Sequence, residues 1–161
     1  MTSRRSDRVV IRRATADDAT GIGDVWLSSW RATFEFPPGH PDDDVRRWLA
    51  TELVPRHETW VAADAAEDGR VVALMALSDA KVEQLYVAPD WIGRGLGRRL
   101  LNLAKTRRPT GLELYCFQVN ASARRFYEGH GFLPVAFGDG SGNEERQPDV
   151  LYRWQPDQAP R

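Results

Sequence analysis

One segment restricts this chain more than any other. The run Val82-Glu83-Gln84-Leu85-Tyr86-Val87 is followed, after Pro89, by Gly93-Arg94-Gly95-Leu96-Gly97 and then by Leu100, Leu101 and Ala104. The first part has the apolar content of a strand, and the last part repeats at helical spacing. Glycines at alternate positions between them allow positive φ and keep side chains off the backbone. The chain must therefore turn sharply from strand to helix. Pro109 and Gly111 stop that helix, and residues 112–117 supply a further apolar strand. Strand, crossover helix and strand in this order place the two strands parallel.

The rest of the chain surrounds this unit with short elements. Residues 9–13 are a β-branched strand, and from Asp17 or Asp18 onward Ile22, Val25, Trp26, Ser29, Trp30 and Thr33 fall at helical spacing. Phe36-Pro37-Pro38-Gly39 breaks that helix; Asp42-Asp43-Asp44 offers acidic N-cap chemistry for a second one, which Pro55 should end. Residues 59–63, 70–77 and 82–87 read as strands joined by turns too short for anything but antiparallel neighbours. A fourth helix is expected from about Ala121 to His130, and two last strands at 132–137 and 150–154. The polar loop 138–149 between them is expected to be mobile, and the Pro-rich tail from Gln155 to be frayed. The expected order is β-αα-βββ-α-β-α-ββ, a mixed α/β fold with a mostly antiparallel seven-stranded sheet.

At 161 residues the chain is expected to form one domain over 1–161, with an ordered core of about 9–154. A formal net charge of -1 gives no global field to draw it to nucleic acid or an anionic membrane. Arg98, Arg99, Arg107 and Arg108 share the third helix without a basic domain or an aromatic RNA-binding stripe around them. No window approaches the roughly 20 apolar residues of a membrane span, and the lone Cys116 suits a reduced, cytoplasmic protein. His40, His57 and His130 lack metal-ligand spacing, so no metal is expected.

The glycine turn opens a helix, and a helix start presents unpaired N–H groups at a positive dipole end. Amides from about Arg94 to Arg98 could wrap a pyrophosphate, with Arg94, Arg98 and Arg99 adding charge. A ligand-free tight turn has the same composition. Two other phosphate loops do not fit: the dinucleotide fingerprint lacks its last glycine, and the Gly-Lys-Ser/Thr ending of a P-loop is absent.

The run from Val82 to Arg98 resembles the central motif of the GNAT N-acetyltransferases, in which an apolar strand leads into an Arg/Gln-x-x-Gly-x-Gly/Ala turn. Ile92 stands where that motif has Gln or Arg. Downstream, Asn120-Ala121-Ser122-Ala123-Arg124-Arg125-Phe126-Tyr127-Glu128-Gly129-His130-Gly131-Phe132 resembles the second GNAT signature, Asn-x-x-Ala-x-x-Phe-Tyr-x-x-x-Gly-Phe, at every named position. The element order agrees over nearly the whole chain.

The resemblance implies that acetyl-coenzyme A is the co-substrate and an amine the acceptor. Its pyrophosphate would lie on Gly93, Arg94, Gly95, Leu96, Gly97 and Arg98. Its pantetheine would lie along Leu85, Tyr86 and Val87, between fourth and fifth strands that splay apart. Asn120, which the residues alone mark as an N-cap, would also touch the cofactor, as would Ala123 and Tyr127. Tyr127 would protonate the departing thiolate; alone it reads equally as a core edge. For the base, two-residue alternation puts Glu83 on one face with Leu85 and Val87, although strand glutamates are usually solvated; His57 and His130 are weaker candidates. Trp30 and Phe34, with Phe36, are candidates for an acceptor pocket, and Trp30 fits the core as well. The acceptor is a small-molecule or peptide amine. A homodimer is left open, as is a binding module that senses acyl-coenzyme A without transfer.

Overall fold

The computed structural model describes residues 8–156. The expectation of frayed termini lies outside these residues, apart from Gln155 and Pro156, which are exposed. The elements are β1 Val9–Arg13, α1 Ala19–Thr33, α2 Asp42–Trp48, β2 Glu58–Asp64, β3 Arg70–Ser78, β4 Lys81–Val87, α3 Leu96–Arg107, β5 Leu112–Phe117, α4 Ala121–Gly129, β6 Leu133–Gly138 and β7 Asp149–Trp154. They form the expected mixed α/β fold. The sheet has seven strands in the order β1-β2-β3-β4-β5-β7-β6, antiparallel throughout except between β4 and β5.

Packing follows from the apolar stripes. α1 buries Ile22, Val25, Trp26, Ser29 and Trp30. It approaches β3 so closely that a Cβ on Gly21 would stand 3.0 Å from the Val71 side chain. α3 buries Leu96, Leu100, Leu101 and Ala104, and it packs on α4 where Gly97 meets Phe126. Glu58 at the start of β2 ties the far end of α3 to the sheet through Arg107 and Arg108, at 2.8 and 3.3 Å.

Two local expectations are corrected around α2. Pro41 occupies its N-cap, so Asp42, Asp43 and Asp44 fill the first turn rather than the cap, where they still face the positive helix end. Pro55 does not end the helix either. The chain widens into a π turn over Leu49–Leu53 and continues through Val54–Arg56. A widened turn changes which donors the ladder needs, and so accommodates a residue with no N–H.

A third correction concerns β4. Gln84 pairs with Ala76 and Val82 pairs with Leu77, so Glu83 is the extra residue of a β-bulge. Alternation does not hold across it. Val82 and Leu85 share the face of Leu77 and Met75, while Gln84 and Tyr86 share the face of Ala76 and Leu74. The latter face meets α1: Trp26 Nε1 donates to Gln84 Oε1 at 3.1 Å, and the Trp26 and Tyr86 rings lie 5.6 Å apart. Glu83 therefore does not simply follow Leu85 and Val87, and its carboxylate accepts a hydrogen bond from Ser78 Oγ at 2.6 Å.

The feature that positions the site is the junction of β4 and β5. Lys81 and Glu113 are their one paired position, with Glu113 N–H donating to the Ala80 carbonyl at 2.8 Å. Beyond it the strands separate, β4 staying with β3 and β5 with β7.

Candidate active site

The separated strands open a cleft of about 1440 Å³ lined by β4, the glycine turn, β5, the start of α4, α1 and the loop before β7. Antiparallel strands alternate the side to which successive residues direct their peptide groups. Ala88 N–H bonds the Val72 carbonyl on β3, so Tyr86 also directs its peptide groups to β3, whereas Leu85 and Val87 turn theirs to the cleft. Ser29 Oγ donates to the Val87 carbonyl at 2.8 Å. Tyr86 thus differs from the sequence expectation: it offers the cleft its ring and hydroxyl rather than its backbone.

At the mouth of the cleft Gly93 and Gly95 have φ of 81° and 82°, the left-handed region that favours glycine. Gly95 caps α3, whose first intrahelical bond runs from Arg99 N–H to the Gly95 carbonyl, leaving the amides of Leu96, Gly97 and Arg98 at the open end. Gly97 itself is helical, and its missing side chain makes room for Phe126. Arg98 lines the cleft, while Arg94 turns away and places its guanidinium 5.3 Å from the Trp91 ring centre. This set of donors and small residues fits a pyrophosphate, and the open edge beyond it fits an extended amide chain.

Across the cleft, Asn120 caps α4 by accepting from Ala123 N–H at 3.1 Å, and both residues line the cavity. Tyr127 lies two turns further, 9% exposed, against Phe126, Phe132 and Tyr152. Burial, with smaller effects from Cys116 and Tyr86, raises the pKa of its phenol, so the group stays protonated throughout the neutral range. Tyr86 is raised in the same way, first by burial and then by the charge of Glu145. Cys116 shares the cleft, and burial pushes its thiol up to about 11.

The α1 side is aromatic. Trp26 and Trp30 stack at 5.1 Å, and Trp30, Phe34, Phe36 and Phe117 contact one another with ring centres 4.7 to 5.9 Å apart. Trp30 is 3% exposed and donates from Nε1 to the Phe36 carbonyl, so it is a core residue that also lines the cavity. Phe34 is half-buried and separates the main cleft from a smaller one of about 570 Å³ beside residues 35–42.

The structure brings Glu83, Leu85, Tyr86, Val87, Asn120, Ala123, Tyr127, Trp30 and Phe34 to one cavity. His57 and His130 are not part of it. His130 lies against Phe126 with ring centres 4.7 Å apart, and burial together with Lys105 and Arg98 lowers its pKa. Among the described residues, no group of three or more His, Cys, Asp or Glu side chains could hold a metal ion. No helix among them is long and apolar enough to cross a membrane. Sequence reasoning missed Gln84, Ser29 and Glu145, because nothing in a polar loop or a helix interior marks the residue that faces a distant strand.

A family model described as an acetyltransferase (GNAT) domain matches residues 55–134, which include β4, the glycine turn and α4. The chain belongs to the GNAT acetyltransferase family. Among GNAT relatives, the peptidyl-lysine N-acetyltransferase YiaC of Escherichia coli is 28% identical over 155 residues, covering 90% of this chain and 96% of that protein. The solution structure of apo YjaB from Escherichia coli superposes with a TM-score of 0.75 at 24% identity, covering 91% of this chain and 97% of that one. YncA of Salmonella typhimurium, solved with its cofactor acetyl-CoA, gives a TM-score of 0.68 at 20% identity over 96% of this chain and 97% of its own. These two structures share the GNAT fold with this chain.

Proposed function

We propose that this GNAT domain transfers the acetyl group of acetyl-coenzyme A directly to a primary amine while both are bound. The observation that carries the reading is the junction of β4 and β5, which closes at Lys81 and Glu113 and then opens beside the amides of the glycine turn. The solution of YncA with acetyl-CoA and the naming of YiaC as a peptidyl-lysine N-acetyltransferase support it.

The amides of Leu96, Gly97 and Arg98 would hold the pyrophosphate, and Arg98 would add charge. The pantetheine amides would pair with the peptide groups that Leu85 and Val87 turn to the cleft, as an added strand pairs with a sheet edge. Ser29 already satisfies the Val87 carbonyl, which leaves the Val87 N–H to face the acyl oxygen as it gains negative charge. Glu83 is the proposed acceptor of the proton that the amine must lose, and the Ser78 hydroxyl fixes its carboxylate.

Tyr127 is the proposed donor to the departing sulfur. Cys116 gauges the surroundings: burial makes a thiol in this cleft a weaker acid, so a thiolate released here is a stronger base and needs a proton more than it would in water. The same resistance to ionisation makes Cys116 a poor nucleophile, which favours direct attack over an acetyl-cysteine intermediate. The test is an amine panel incubated with acetyl-coenzyme A, followed by free thiol release. Amine-dependent release supports transfer. Tight binding of acetyl-coenzyme A without turnover of any amine would make the protein a sensor instead.

A further inference from the structure

Residues 139–148 form a built loop rather than a slack one. Gly140 has φ 94°, and a Cβ there would stand 2.8 Å from the backbone of Arg146 and Gln147. Asn143 bonds the Gln147 N–H and carbonyl and also Asp149, closing the loop on itself. His40 Nε2 and Glu144 Oε2, 2.7 Å apart, then fasten it to the segment between α1 and α2.

The acids at 139, 144, 145 and 149 fare differently. Asp139 accepts from Ser141 N–H, Glu144 pairs with His40, and Asp149 accepts from Asn143. Glu145 has no hydrogen-bond or ion-pair partner among the described residues, although it is half-buried and lines the cleft. It lies beside Gly39, where a Cβ would be 3.8 Å from its Oε1, and close enough to Tyr86 for its charge to act on that phenol. Trp26, Trp30, Phe34 and Phe117 line the same cavity. A carboxylate held near an apolar aromatic wall, with no cation of its own, favours a cationic ligand that has an apolar stem.

We propose that Glu145 is a specificity-determining residue which receives the ammonium group of an alkylamine acceptor, the alkyl stem lying on Trp30, Phe34 and Phe117. The inference rests on the acetyl-transfer reading above and names the substrate class of that site. Glu145 holds the charged acceptor in place, and the ammonium gives up one proton, which the acetyl-transfer reading assigns to Glu83, before its nitrogen attacks. Glu145 and the three rings line one cavity, so a single acceptor can meet the carboxylate and the aromatic wall together.

The experiment compares wild type with Glu145→Gln on two acceptors: a lysine side chain in a short peptide with blocked ends, and an arylamine that is uncharged at the assay pH. Loss of one charge-assisted hydrogen bond at a half-buried site corresponds to about 10- to 100-fold in affinity. The expected result is a KM for the peptide raised by that factor, with kcat for the peptide, KM for the arylamine and affinity for acetyl-coenzyme A all within about twofold of wild type. An equal effect on both acceptors, or none on either, overturns the role of Glu145 while leaving acetyl transfer standing. If wild type acetylates the arylamine but not the peptide, the alkylammonium class is wrong. A wild-type protein that acetylates no amine overturns both readings, and circular dichroism on the variant separates misfolding from lost recognition.

Discussion

A Cβ placed on Gly97 would stand 3.3 Å from Phe126 Cζ, so the third glycine of the turn serves helix packing rather than backbone conformation. Gly97→Val must push α4 away from α3. Overpacking of this kind costs about 1–3 kcal/mol, and urea denaturation should show it as a lower midpoint with an unchanged slope. Gly95→Ala tests the turn itself: at φ 82° an L side chain is strained. It should weaken acetyl-coenzyme A binding in calorimetry by more than it lowers stability, and unchanged affinity would place the pyrophosphate elsewhere.

Tyr127→Phe removes only the proposed proton donor. General-acid loss costs about 10²- to 10⁴-fold in rate, so kcat should fall by that much while acetyl-coenzyme A affinity stays near wild type. Because burial raises the phenol above its ordinary value, the acid form persists through the alkaline range, and the pH-rate profile should show no loss of this acid between about pH 8 and 10. A kcat within twofold of wild type would assign Tyr127 to packing alone.

Glu83→Gln should keep cofactor binding but depress turnover most at low pH, where neutral amine is scarce. Superimposable pH-rate profiles would remove Glu83 from the mechanism and leave solvent to take the proton. Together with the acceptor comparison at Glu145, this variant separates a defect in kcat from one in KM.

Glu58 supplies a pH-dependent contribution to stability. The hydrogen bond from Arg107 is the largest cause that holds its carboxyl down to about 2, with Trp60 and Arg108 acting in the same direction. A pKa lowered in the folded state stabilises above the unfolded value of about 4.3. That stability is lost as pH falls from there towards about 2. Glu58→Gln should therefore be less stable than wild type at pH 7, and the difference should shrink below pH 4.3. Unfolding midpoints that differ equally at pH 7 and pH 3 would rule out the ionic account.

The fold was largely legible because its signals are local and periodic. Residues 112–117 read as a strand and form β5 at those bounds, and the helix after the glycine turn follows from Leu100, Leu101 and Ala104. What escaped the sequence is what depends on a partner. A bulge at Glu83 adds one residue to a strand without changing its composition, yet it ends the alternation by which Glu83 was placed with Leu85. Tyr86 turns its backbone to β3 because of the register with Leu74, which no strand states by itself. The loop 139–148 is polar throughout, and polarity suggests motion; its order comes from Asn143, Gly140 and the distant His40. Glu145 looks like any loop acid until the cavity is drawn around it.

With one rung between β4 and β5, the sheet is mechanically two plates, β1 to β4 and β5 to β7, hinged at Lys81 and Glu113. A molecule lying along Leu85 and Val87 becomes a structural member of the sheet as well as a reactant. Its occupancy would then add cross-strand pairing that β4 and β5 lack beyond Lys81 and Glu113. Saturation at a hundredfold the Kd corresponds to about 2.7 kcal/mol of added stability, and the amide hydrogens at the facing edges of the two plates should exchange more slowly in step with it. Acetyl-coenzyme A, bound as proposed, would thereby brace the fold as well as supply the acetyl group.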